Sequence, residues 1–190
     1  VLGEAVPALQ RLQRQGKCRF LGITALGEVP ALRAVLESGA FDTAQIPFNA
    51  LNPSWLAPRH PGLPAQDFTG LGALAAARGV GLIGIRILAA GALSGEVGRH
   101  PVAMQAVAPI ASGPSYEADL AAARRLLPLV EAGMAGSLAE LAIRHAAFVP
   151  GMGCALIGTA SVEQLEAAIA AVERGPLPPG AVERMGALLA

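Results

Sequence analysis

The stretch Ile157-Gly158-Thr159, running on through Ser161 to Gln164, has the most directly readable chemistry in this sequence. An apolar run ends there and a helix begins near Ser161. A helix N-terminus offers unpaired N–H groups and the positive end of the helix dipole, both of which attract phosphate. A second reading needs no ligand: Ser161 and Gln164 have the S-x-x-Q spacing of a capping box, which satisfies the helix start by itself. The acid–base inventory is thin. Tyr116 is the only tyrosine, Lys17 the only lysine, and the histidines are His60, His100 and His145. Cys18 and Cys154 are too few and too far apart for a disulfide framework or a metal site. Each opens a predicted strand, and the expectation is that of a small buried hydrophobe.

These residues need elements to position them. Residues Glu4 to Gln15 have helical apolar spacing and stop at Gly16. Strands are expected at Cys18 to Thr24, Phe41 to Pro47, Val80 to Ile87 and Gly153 to Ile157. Helices are expected at Glu28 to Ser38, with Pro30 tolerated in the first turn, and at Gly70 to Arg78. Two more are expected at Tyr116 to Ala132 and Ser137 to Val149, where Ser137 and Glu140 form a second capping box. A terminal pair is split by the turn Gly175 to Gly180. Long segments follow the second and third strands, Phe48 to Asp67 and Leu88 to Ser115.

Strands alternating with helices indicate βαβ units and a parallel sheet, α/β in class. The strands are continuous apolar runs, as in sheets covered on both faces. Loops after the carboxyl ends of strands are where (β/α)8 barrels carry their sites. Four strands are about half of such a barrel, which needs eight in about 250 residues.

Composition excludes several classes. Hydrophobic residues are 53% and charged residues 15% of the 190, which excludes disorder. Formal net charge is zero, with no basic excess for nucleic acid. Mean hydropathy is +0.51, yet no apolar run reaches the roughly 20 residues of a membrane span. A cytoplasmic, reducing location is the expectation.

Four segments carry a family resemblance: GKCRFLGIT (16–24), FDTAQIPFNALNPS (41–54), GVGLIGIRILAAGALSG (79–95) and ALIGTASVEQLEAAI (155–169). In order and spacing they resemble the C-terminal half of aldo/keto reductases. The resemblance implies a surface for a nicotinamide cofactor, NADP or NAD, and a small carbonyl substrate. It sets Thr24 and Ala25 where the family has a Ser-Asn pair against the nicotinamide carboxamide, and Gln45 where a glutamine holds the same group. Gln45 also reads as a strand-end polar residue bonded to backbone. Ile85 stands in place of a stacking aromatic. Arg86 beside it could stack or pair with phosphate, or form a buried salt bridge. Leu88 to Ser94 resembles the loop that wraps the pyrophosphate, with Gly91 allowing close approach of the main chain. Gly158 and Thr159 match contacts to the adenosine-side phosphate, and Gln164 matches a position often Arg or Gln. Ala167 and Ala168 replace residues that touch the adenine. No Arg or Lys lies between Gly158 and Glu173, so nothing local favours a 2′-phosphate.

The family's Asp, Tyr, Lys and His tetrad is expected on the first four strands of the barrel, and no residue here matches it. Lys17 precedes a strand, at the wrong end of a barrel. Tyr116 opens a helix, where it is expected to cap or pack. Two accounts are open: a fragment whose catalytic half is encoded upstream, or a catalytically inactive dinucleotide-binding or interaction module. A phosphate-binding lyase or isomerase barrel would suit the Ile157–Ser161 turn alone. Open edges at Phe20–Thr24 and Ala155–Ile157 predict pairing with a missing half or self-association.

Overall fold

The computed structural model describes residues 1–190. The order is α1 (Ala5–Arg14), β1 (Gly22–Thr24), α2 (Val29–Glu37), β2 (Thr43–Pro47), α3 (Leu71–Ala77) and β3 (Gly81–Ile85). A 3-10 turn at Ala89–Ser94 precedes α4 (Tyr116–Arg124), α5 (Leu127–Glu131), α6 (Leu138–Ala147), β4 (Cys154–Ala155), α7 (Val162–Glu173) and α8 (Ala181–Leu189). The four strands form one parallel sheet in the order β1-β2-β3-β4.

Register decides which side chains share a face. Thr24, Gln45, Ile83 and Cys154 stand side by side across the sheet. The next row is Ile46, Gly84 and Ala155, and the preceding one is Ile23, Ala44 and Leu82. Alternation along a strand sends these two rows to the opposite face from Thr24 and Gln45. Ala44, Ile46 and Leu82 are buried under Leu32 and Leu36 of α2 and Leu71 and Ala75 of α3. The face carrying Thr24, Gln45, Ile83, Ile85 and Cys154 is half-buried or exposed. One side of the sheet is therefore a finished core and the other is open. A second apolar core joins the 3-10 turn, α4, α5, α6 and α8 through Leu93, Leu126, Leu129, Leu141 and Leu189.

Helix α1 lies beside β1, with Val6 packed on Leu21 and Phe41, and Val35 of α2 next to that cluster. At the other end of the sheet, Ala168 and Ala171 of α7 pack on Ile143 of α6, with Ile157 alongside. No helix is long and apolar enough to cross a membrane.

Three expectations change. The helix expected over Tyr116 to Ala132 divides after Arg124, because Pro128 has no N–H to continue the ladder; it sits in the first turn of α5 instead. The outer strands are shorter than their apolar runs, three residues in β1 and two in β4, since each pairs on one side only. The cysteines are not buried hydrophobes. Cys18 is half-buried ahead of β1, and Cys154, aligned with Ile83, is exposed on the open face.

Candidate functional site

A groove of about 760 Å³ runs from the end of β3 past the β4–α7 junction and along the cleft between α6 and α7. Arg86, Leu88, Gly91, Gly158, Thr159 and Gln164 all line it. Thr24, Gln45 and Ile85 do not. They lie on the open sheet face, where the Thr24 hydroxyl donates to Gln45 Oε1 at 3.4 Å. Ile85 is the last residue of β3, so the open face meets the groove at Arg86.

The backbone after β3 is unusual. Arg86, Ala89 and Ala90 have φ of 61°, 47° and 59°, followed by Gly91 at 102°. Non-glycine residues in this region cost on the order of 1 kcal/mol or more each and persist only where their surroundings fix them. Several bonds do so. Asn49 Nδ2 donates to the Arg86 carbonyl at 3.0 Å. Arg99 Nη1 donates to the Ala90 carbonyl at 2.6 Å and its Nε to Met104 O at 2.7 Å. The Arg99 guanidinium also lies 5.4 Å from the Tyr116 ring centre, and the Tyr116 hydroxyl donates to Glu96 O at 3.3 Å. Tyr116 thus packs, as its position in the sequence implies, and forms a wall of the groove.

At the other side, the capping box is formed. Ser161 Oγ accepts from Gln164 N at 3.3 Å, and Gln164 Oε1 accepts from Ala160 N at 2.8 Å. The amides of Gly158, Thr159 and Val162 have no acceptor in the protein. Glu163 bends back to its own amide and the Ser161 hydroxyl, which lowers its carboxyl pKa. A Cβ at Gly158 would meet nothing within 4 Å, so the backbone there is open to a ligand. Arg86 has no carboxylate partner; the ion pairs of the chain are Arg144–Glu140 and Arg174–Glu140. The salt bridge considered for Arg86 is therefore not made, and its charge is available to an anion.

Free amides, a helix N-terminus and an unpaired guanidinium in one elongated groove suit a phosphate-bearing ligand. The donor set fits the dinucleotide that the sequence resemblance implies. The open face beside it offers Thr24 and Gln45 as hydrogen-bonding groups and Ile83 and Ile85 as apolar surface.

Other ionisable groups serve the scaffold. Asp119 of α4 accepts from the Ser112 hydroxyl and the Gly113 amide, and burial raises its pKa. His145 of α6 stacks on Phe48 with ring centres 5.4 Å apart. Burial, then repulsion from His60, lowers the His145 pKa to about 4. His60 is itself lowered by burial, and its Nε2 lies 2.9 Å from Ala50 O.

Sequence reasoning missed Asn49, Arg99, Glu140 and Arg174 as parts of this region. Spacing could have found Arg174: Ala167 and Ala171 of α7 and Arg174, which caps it in αR conformation, are i, i+4 and i+7, one face of a helix.

The aldo-keto reductase AKR11C1 from Bacillus halodurans superposes in its holo form with a TM-score of 0.67 at 18% identity, over 100% of this chain and 56% of that one. Its apo form gives 0.66 at 19%, over 100% and 57%. The glycerol dehydrogenase AKR11B4 from Gluconobacter oxydans gives 0.50 at 18%, over 93% and 56%. At these identities the likeness is one of fold. The chain spans a little over half the length of these structures, as a partial (β/α)8 barrel does. No curated protein sequence matches it. The model of the aldo/keto reductase family matches residues 2–190, in agreement with the four motifs, and the chain belongs to that family.

Proposed function

We infer that this chain supplies the cofactor-binding half of an NAD(P)H-dependent oxidoreductase that interconverts a carbonyl and an alcohol. The observation that carries the reading is the groove, lined by Arg86 and by Gly158 and Thr159, whose guanidinium and amides have no carboxylate or acceptor partner in the protein. A bound nicotinamide would supply the hydride. The residues of this chain bind and orient it: the β4–α7 junction and Arg86 take phosphate, the Leu88–Ser94 turn backs the chain of the ligand, and Thr24 with Gln45 holds the carboxamide. Ile85 gives the ring an apolar seat without a π face.

Carbonyl reduction also needs an acid within hydrogen-bond reach of the developing alkoxide. Lys17 is exposed ahead of β1, and Tyr116 is engaged by Arg99 and Glu96. The proton therefore comes from outside this chain, from the half that covers the open sheet face. The cytoplasm, with reduced cofactor and reducing conditions, suits two unpaired cysteines.

Titrating NADH and NADPH into the chain, read by cofactor fluorescence and calorimetry, tests the reading. Saturable binding of either is expected. No saturable change with both would overturn it. A second reading, a catalytically inactive dinucleotide-binding module, is favoured by the same absence of an acid. Turnover on addition of a complementary half excludes it.

A further inference from the structure

Resting on the dinucleotide reading, we propose that Arg174, held in place by Glu140, contacts the nucleobase at the far end of the groove. The groove does not end at the phosphate-binding junction; it continues between α6 and α7 as far as Arg174. Helix α7 spans 12 residues, about 18 Å, and helical side chains lean back toward the N-terminus, so the guanidinium reaches into the cleft rather than away from it. The cleft is apolar. Ile143 and Ala171, packed on each other, form its floor, with Ala139 to one side and Ala167 to the other, a surface on which a flat ring can lie with nothing polar at those positions to meet its edge. Arg174, the residue that caps α7, comes next along that face.

Its setting is that of a held but underused cation. The Glu140 carboxylate is 12% exposed and receives Arg144 Nη1 at 2.9 Å, Arg174 Nη1 at 3.1 Å and the Gly136 amide at 3.1 Å. A Cβ on Gly136 would come within 2.9 Å of Glu140 Oε2 and 3.5 Å of Arg174 Nη1, so the small residue leaves both side-chain ends room to pair. Arg144 is itself 9% exposed in its side chain and fixed to the carbonyls of Gly175 and Pro176 at 2.8 and 2.6 Å. Arg144 alone neutralises Glu140. The Arg174 side chain is 60% exposed, uses one nitrogen on Glu140, and leaves its remaining N–H groups and its planar face free. A guanidinium so placed can donate to ring nitrogens in the plane or lay its flat face on the ring, whereas an ammonium donates but has no plane to stack. It supplies at this end the polar contact that Ala167 and Ala168 cannot make.

The test uses calorimetric titration of the 190-residue chain with adenosine 5′-monophosphate, adenosine 2′,5′-bisphosphate and nicotinamide mononucleotide. Arg174→Ala and Arg174→Lys are compared with the parent, and melting temperatures are recorded. We expect Arg174→Ala to weaken both adenine nucleotides by about tenfold and to leave the nicotinamide nucleotide unchanged. Arg174→Lys recovers less than half of that loss. A loss confined to the 2′,5′-bisphosphate would show a phosphate contact and overturn the proposal, as would full recovery by lysine. Equal losses for all three ligands with a lower melting temperature would show a structural role and also overturn it. If the parent chain binds none of the three, the dinucleotide reading of the groove falls and this inference falls with it.

Discussion

Asn49 and Arg86 are 37 residues apart in sequence and joined by one hydrogen bond, from the Asn49 amide to the Arg86 carbonyl at 3.0 Å. Asn49 is 1% exposed, and its Oδ1 also accepts from the amides of Leu51 and Asn52 at 2.9 and 3.0 Å. One side chain therefore shapes the turn after β2 and fixes the left-handed residue after β3. Asn49→Ala leaves the buried Leu51 amide without a partner, while the Asn52 amide keeps the residue 49 carbonyl and the Arg86 carbonyl keeps the Ala89 amide. We expect a loss of about 1–3 kcal/mol in urea unfolding, together with weaker dinucleotide binding. A variant of unchanged stability would show that water replaces the side chain fully.

Arg86 combines a strained backbone with an unpaired charge, and the two can be separated. Arg86→Gly removes the side-chain penalty at φ 61° and the guanidinium together. Stability is expected to rise by about 0.5–1 kcal/mol, since glycine adopts this conformation freely. Dinucleotide affinity is expected to fall. Opposite signs in chemical denaturation and ligand titration would identify Arg86 as a residue kept for binding; a fall in both would place its value in the fold.

The His145 pKa gives a pH dependence with a definite sign. Its folded pKa is about 4, below the 6.5 of a free imidazole side chain. The unfolded chain therefore binds the extra proton between those values. Stability from the neutral, buried ring is complete above about pH 6.5 and falls as the pH drops toward 4, by up to about 3 kcal/mol. His145→Phe keeps an aromatic ring against Phe48 and removes the titration. Urea midpoints measured from pH 7.5 to 4.5 should fall for the parent and change less for the variant.

Ser161→Ala tests the capping box against the ligand role of the same turn. Loss of the bond from Gln164 N is expected to cost about 1 kcal/mol. Phosphate binding at Gly158 and Thr159 should persist, because their amides do not depend on the Ser161 hydroxyl. Abolished binding in a folded Ser161→Ala variant would show that the hydroxyl is itself a ligand.

Much of this was legible in the sequence, for identifiable reasons. Residues 80–87 and 41–47 read as strands because continuous apolar runs between glycines suit a covered sheet, and both inner strands are present. The capping boxes at Ser137 and Ser161 were readable because they are local, four residues each. The lengths of β1 and β4 were not, because a strand end is set by its neighbour. Cys154 looked like a core residue until register with Ile83 turned it to the open face. Of the expected ligand residues, those at the β3 and β4 ends meet in one groove, since loops at one end of a parallel sheet converge. Arg174, Glu140 and Asn49 act through tertiary contacts, and no short motif encodes those.

The exposed edges make a further prediction. Phe20 is 67% and Leu156 48% exposed, each next to an outer strand with a free ladder. Sedimentation velocity of the chain alone should show association that grows with concentration, reduced by Phe20→Lys with Leu156→Lys. A single monomeric species over a hundredfold concentration range would count against it.

The placement of α1 and α7 limits what can complete the sheet. Around a closed βα ring, each junction between neighbouring strands has room for one covering helix. Here α1 packs through Val6 on Leu21 and Phe41 at the β1 end, and α7 packs through Ala168 and Ala171 on Ile143 of α6 at the β4 end, so a helix already stands at each end of the sheet. A second copy set edge to edge would bring two helices to each junction. The complement that fits is one that begins and ends on strands and carries its helices only between them. Two copies can therefore associate through their open edges without closing a ring, whereas an unlike complement can close it.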